Sequence, residues 1–185
     1  MKILYILLIS IILTGCTNQN QPQQPQQINI EIEKPEKRVL ASSTTPITDK
    51  TKNRMNNLNL SISKLNGHVI QPNEVFSFND TVGERTEEAG FKKAIIFDGN
   101  GNKQKGVGGG ICQSSSTLYL AAQQAGMEIV ERHEHSHEVQ YVEEGQDATV
   151  SYGTVDFKFR NTHSTPIKIN ASSDKQNITI SLEEV

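Results

Sequence analysis

Val107-Gly108-Gly109-Gly110-Ile111-Cys112-Gln113-Ser114-Ser115-Ser116-Thr117-Leu118-Tyr119 reads as a glycine turn that delivers one thiol to the start of a helix. Consecutive glycines admit backbone conformations and close approaches that side chains forbid. The helix is predicted from about Gln113 to Gln124, with Gly126 as its stop. Leu118, Ala121, Ala122 and Ala125 form its apolar stripe. Helical spacing puts Cys112, Ser115, Ser116 and Tyr119 on the neighbouring face.

On the N-terminal side, Lys93 to Phe97 reads as a strand and Asp98 to Asn102 as a tight turn. Further back, Met55, Leu58, Ile62 and Leu65 recur at three- and four-residue steps, which predicts a helix from Asp49 to Leu65 ended by Gly67. Val75 to Phe78 is a strand after the Pro72-Asn73 turn. On the C-terminal side, Glu128–Val130, Val139–Val142, Ala148–Tyr152, Val155–Phe159, Ile167–Asn170 and Ile178–Leu182 alternate or run apolar. Helix first and short strands after predicts an α+β domain over 47–185, with two main helices on a mostly antiparallel sheet.

The first 46 residues read differently. Lys2, the mostly apolar run Ile3 to Leu13 and Leu13-Thr14-Gly15-Cys16 have the form of an export signal with a lipobox over 1–16. That run is shorter than the roughly 20 apolar residues a membrane span needs. Cleavage before Cys16 and lipid on its sulfur would anchor the protein at the extracytoplasmic face of the membrane. Residues 17–46, rich in Gln and Pro, are predicted to be a flexible tether with a reach of roughly 30 Å, interrupted by an alternating Ile28-Asn29-Ile30-Glu31-Ile32. Net charge is −3 and there is no Trp. Nothing here forms the basic surface that nucleic acid requires.

With Cys16 taken by lipid, Cys112 is the one thiol left in an oxidising compartment. A nucleophile suits it, and an inert cysteine in a glycine turn is the alternative. Unpaired N–H groups at the helix start would favour thiolate and hold an oxyanion. A cysteine nucleophile needs a base. His133, His135 and His137 alternate, so a strand would turn all three to one face, as a catalytic base or a zinc site would use them. A solvated strand is the plain alternative. Asp147 and Asp156 are candidates to orient the imidazole, or turn-closing residues. Arg85 would bind a substrate carboxylate or make a structural ion pair. Gly109, Gly110, Gln113, Ser115, Ser116 and Tyr119 complete the expected substrate-binding set.

The chain resembles the VanW-domain family. The resemblance rests on Phe76-Ser77-Phe78-Asn79, Val82-Gly83-Glu84-Arg85-Thr86, Gly106 to Gln113, Ser115 to Tyr119, Arg132 to Ser136, Asp147 to Val150, Tyr152-Gly153 and Asp156 to Asn161. It covers roughly 50–172. Some members of that family are associated with L,D-transpeptidation of peptidoglycan through a cysteine. The resemblance implies Cys112 as nucleophile and His135 as base, with His133 next. It departs at Glu84, where relatives carry Pro, and at Ser116, where many carry Thr. The expectation is a lipid-anchored, monomeric cysteine L,D-transpeptidase that makes 3–3 cross-links between peptidoglycan stem peptides and needs no cofactor. The alternatives are a non-catalytic peptidoglycan-binding or assembly lipoprotein, and a metal site on the histidines.

Overall fold

The computed structural model describes residues 38–98 and 101–185. The expected signal at 1–16 with Cys16, most of the tether, the short strand at 28–32 and the centre of the 98–102 turn lie outside the described residues.

The fold opens with β1 (Val39–Pro46), α1 (Lys52–Leu65), β2 (Val69–Ile70), β3 (Val75–Ser77) and the short helix α2 (Phe78–Val82). A hairpin of β4 (Lys93–Phe97) and β5 (Lys103–Val107) leads into α3 (Cys112–Gln124). Strands β6 (Glu128–Glu131), β7 (Lys158–Arg160), β8 (Ile167–Ser173) and β9 (Asn177–Glu184) follow. Antiparallel pairing builds a four-stranded sheet in the order β1-β9-β8-β2, a three-stranded sheet β3-β7-β6 and the β4-β5 hairpin. The result is a single α+β domain, and among the described residues no helix is long and apolar enough to cross a membrane.

Period-two burial organises the larger sheet. Ile167, Ile169 and Ala171 on β8, and Ile178, Ile180 and Leu182 on β9, turn to one face. There α1 packs against β8, and α3 against β1 and β9. Each fully buried Ile or Leu contributes about 1.5–3 kcal/mol relative to exposure. Leu58, Ile62 and Leu65 of α1 face this core. The smaller sheet adds Phe76 and Phe159, whose ring centroids lie 5.0 Å apart.

Ser114, Ser115, Ser116 and Thr117 are completely buried, and α3 can bury them because each hydroxyl is satisfied. Successive helical residues point about 100° apart, so the four reach different neighbours. Ser114 bonds Ser61 of α1 at 2.8 Å, and Thr117 bonds Thr45 of β1 at 2.7 Å. Ser115 donates to the Ala148 carbonyl at 2.6 Å, and Ser116 accepts from the Ala148 N–H at 2.9 Å.

Several expectations change. The folded body starts by Val39 rather than 47: residues 39–46 are not tether, because β9 supplies a full antiparallel ladder for them. Phe78 begins α2 instead of ending a strand, since Ser77 accepts a bond from Asp80 N–H and caps the helix. Residues 139–142 form no strand, and 148–152 keep only the Ser151–Val155 bridge. Ala148 docks on α3 through Ser115 and Ser116 instead of joining a sheet. The His133–His137 stretch is likewise not a strand, so the premise that turned three imidazoles to one face fails.

Candidate active site

Cys112 lies on the wall of a cleft of about 610 Å³. Its turn is held from three sides. Gly109 presses on β4 so closely that a Cβ there would sit 2.5 Å from the Ile95 carbonyl oxygen. Asn57, fully buried on α1, donates to the Gly109 carbonyl at 3.0 Å and clamps Lys92 through both its N–H and its C=O. Gln113 donates to Thr45 Oγ1 at 3.1 Å and to the Pro46 carbonyl at 2.8 Å. Thus α1, β1 and β4 fix where α3 begins.

The N–H groups of Gln113 and Ser114 are not free as expected. They donate to the carbonyls of Gly110 and Ile111 at 3.1 and 2.9 Å. The Cys112 N–H has no protein acceptor among the described residues, so an oxyanion would rely on that group.

His135 lines the cleft beside Cys112, close enough that each group shifts the other's pKa. Asp147 takes both the Nδ1 and the backbone N–H of His135, the latter at 2.7 Å. That leaves Nε2 for the thiol. The sulfur also lies 3.7 Å from Thr149 Oγ1 and 3.6 Å from the Val150 carbonyl. Burial pushes the Cys112 thiol up, but hydrogen bonding and charge from His135, with smaller help from Val150 and Thr149, together hold it below its ordinary value. Burial pulls His135 down, but Cys112 and then Asp147 together raise it. Burial also acts against the Asp147 carboxylate, and its bonds to His135 keep it below the usual range. All three shifts run in the direction that favours a thiolate–imidazolium pair backed by a carboxylate.

Arg132, on which no role was placed, closes the loop that carries these groups. It donates to the carbonyls of Asp147 and Gly145 at 2.7 and 2.8 Å and to Asp147 Oδ1 at 3.3 Å. Its guanidinium also lies over the Tyr119 ring, 5.0 Å from the centroid. Its sequence signals were its place beside His133 and within the Arg132 to Ser136 stretch that carries the family resemblance. Tyr141, read as a strand residue, lines the cleft instead. Burial, then the Cys112 charge, pushes its phenol far above the ordinary value, so it stays a neutral donor.

Other assignments move. Asp156 is not with the thiol: it accepts from Ser77 Oγ at 2.6 Å and from the N–H groups of Asn79 and Phe157, which anchors α2. Ser115 and Ser116 hold Ala148 rather than facing a substrate, and Tyr119 is buried against Phe157. Gln113 borders the cleft but spends its amide on β1 and Arg54. Gly109, Gly110 and Arg85 line the cleft. His133 turns out to Glu131 at 3.2 Å, while His137 stacks on Phe97 at 3.8 Å. Among the described residues no three His, Cys, Asp or Glu side chains converge as a metal site.

The electrostatics set a pH prediction. Iodoacetamide alkylation of Cys112 should titrate with a midpoint below that of an ordinary thiol. In His135→Ala the midpoint should rise, because burial is then opposed only by the bonds to Val150 and Thr149. Unchanged midpoints in the two proteins would show that His135 does not hold the thiolate. Amide acylation should be bell-shaped: it falls at low pH as the thiolate protonates, and at high pH as the imidazolium loses its proton. The two apparent values belong to the coupled pair.

The family model described as VanW like protein matches residues 53–183. A protein of Bacillus subtilis described as uncharacterized protein YoaR is 47% identical over 132 residues, covering 71% of this chain and 43% of its own. The vancomycin B-type resistance protein VanW of Enterococcus faecalis is 31% identical over 135 residues, covering 68% of this chain and 47% of its own. The chain thus spans less than half the length of these curated relatives. No solved structure matches it.

Proposed function

This chain belongs to the VanW-like family, and we propose that it is a cell-envelope cysteine acyltransferase acting on peptidoglycan stem tetrapeptides. Family membership suggests a role related to the cell wall. The finer reading rests on one observation: Cys112 and His135 share one open cleft and shift each other's pKa, and Asp147 bonds the His135 ring from behind. The proposed location is the outer face of the membrane, held by lipid on Cys16.

Cys112 thiolate attacks the carbonyl of the third stem residue, and a C–S bond forms. The Cys112 N–H faces the developing oxyanion. As the amide C–N bond breaks, the His135 imidazolium gives its proton to the departing D-Ala amine. The amine of a neighbouring stem then attacks the thioester, His135 takes its proton, and the thiolate leaves. The product is a 3–3 cross-link. With water as acceptor the same thioester yields a shortened stem.

Intact-mass spectrometry of the full chain in detergent, mixed with disaccharide-tetrapeptide, tests this. Wild type should gain the donor mass less D-Ala, and Cys112→Ala should gain nothing. A folded wild type with an inert thiol and no adduct would leave the binding or assembly reading.

A further inference from the structure

Two arginines stand on either side of the Cys112 turn, and the glycines there make room for them. Gly108 has φ +84°, and a Cβ on it would meet Arg85 Cβ and Cγ at 2.8 Å. Gly110 has φ +108°, and a Cβ on it would meet Arg54 Cγ at 2.8 Å and Nη1 at 3.1 Å. Both arginines line the cleft. Arg85 Nη1 donates to the Gly83 carbonyl at 2.9 Å. Its guanidinium lies 5.6 and 5.8 Å from the ring centroids of Phe78 and Tyr152. Arg54 Nη2 donates to Gln113 Oε1 at 3.1 Å.

What remains is unspent. Arg85 Nε and Nη2, and Arg54 Nε, are buried without a hydrogen-bond partner among the described residues. Neither arginine makes an ion pair among those residues. Asp156 is the carboxylate whose charge acts on Arg85, but its oxygens serve Ser77 and the N–H groups of Asn79 and Phe157. Burial pulls the Arg85 guanidinium down, and the Cys112 charge is the first to oppose that. Buried cationic donors without partners are costly unless an anion arrives.

We propose that Arg85, with Arg54 as the second cation, binds the free C-terminal carboxylate of the donor peptide, one residue beyond the amide that Cys112 attacks. This rests on the acyl-transfer reading above. The Nε–Nη2 edge of a guanidinium matches the two oxygens of a carboxylate. One residue advances the chain by only about 3.3–3.8 Å, so the carboxylate of a departing terminal residue must lie beside the thiolate. The clamp therefore selects donors with a single residue after the scissile bond. A donor one residue longer carries its carboxylate past the arginines, and an internal amide has none.

The test compares three tetrapeptide donors by acylation rate on the full chain: the free acid, the C-terminal amide, and the peptide amidated on its side-chain carboxylate. The C-terminal amide should react on the order of 100-fold more slowly, and the side-chain amide within about threefold of the free acid. Arg85→Gln should slow the free acid by a similar factor and the C-terminal amide far less, with partial rescue in Arg85→Lys. Iodoacetamide, which carries no carboxylate, should alkylate Arg85→Lys, which keeps the charge beside Cys112, at close to the wild-type rate. Equal rates for acid and C-terminal amide would overturn the proposal. So would a loss confined to the side-chain amide, or an equal loss on both donors in Arg85→Gln. If no donor acylates wild type, calorimetry on Cys112→Ala decides separately. Tighter binding of the free acid than of its C-terminal amide would sustain the carboxylate site while acyl transfer fails, and equal or absent binding would remove both.

Discussion

His135→Ala should slow acylation of Cys112 by about a thousandfold or more, measured as single-turnover adduct formation by mass. One ring carries two duties here. It holds the sulfur as thiolate against burial, and it protonates the departing amine; general acid–base catalysis alone is worth about 10²–10⁴-fold. Asp147→Asn should cost less, about 10- to 100-fold, because an amide can still orient the ring but no longer favours its charged form. The thiol titration separates a chemical from a structural cause. Both variants should raise the thiol midpoint, His135→Ala by more, while their melting temperatures stay close to wild type. An enzyme that acylates normally without His135 would assign the proton transfers to another group.

Gly109→Ala should be among the most damaging one-carbon changes in the chain. The added Cβ would lie 2.5 Å from the Ile95 carbonyl oxygen, 2.9 Å from the Ala94 carbonyl carbon and 3.0 Å from its Cβ. These atoms belong to a paired strand and cannot swing aside. Overpacking of this kind costs about 1–3 kcal/mol, or about 2–4 °C of melting temperature per kcal/mol at this size. Because the same turn sets the thiol, activity should fall with stability. Gly106→Ala is the informative partner. Its Cβ would come closer to a neighbour, 2.2 Å, but that neighbour is the end of the Ile96 side chain. A rotamer change relieves it, so Gly106→Ala should melt nearer to wild type. Gly109→Ala melting above Gly106→Ala would mean that β4 yields more easily than a side chain.

The sequence made the thiol, its glycine turn and its helix legible because each has a local cause: three glycines, then a helical period. His135 and Asp147 were visible as types near the right place, and their meeting depends on a loop that no periodicity describes. Ser115 and Ser116 illustrate the limit. Helical spacing puts them on the face of Cys112, but it cannot say whether that face meets ligand or chain. In the structure it meets Ala148. Asp156 failed for a similar reason, since an acid near a glycine looks the same whether it orients a histidine or anchors α2. Residues 139–142 and 148–152 alternate like strands without sheet partners, which hid Tyr141. β1 was obscured by its polar Ser42 to Thr45 stretch, which is a good strand only once β9 is beside it.

That pairing has a consequence in time. Thr44 and Thr179 are neighbours across 135 residues of chain, and the same strand presents Thr45 and Pro46 to the amide of Gln113. A polypeptide emerging from its N-terminus therefore holds Cys112 long before β9 exists to steady β1. Ladders between such distant segments form slowly. During that interval the helix start beneath the thiol lacks one of its three anchors. The third anchor arrives only as β9 seats, so the nascent chain passes through its early life with its nucleophile incompletely held.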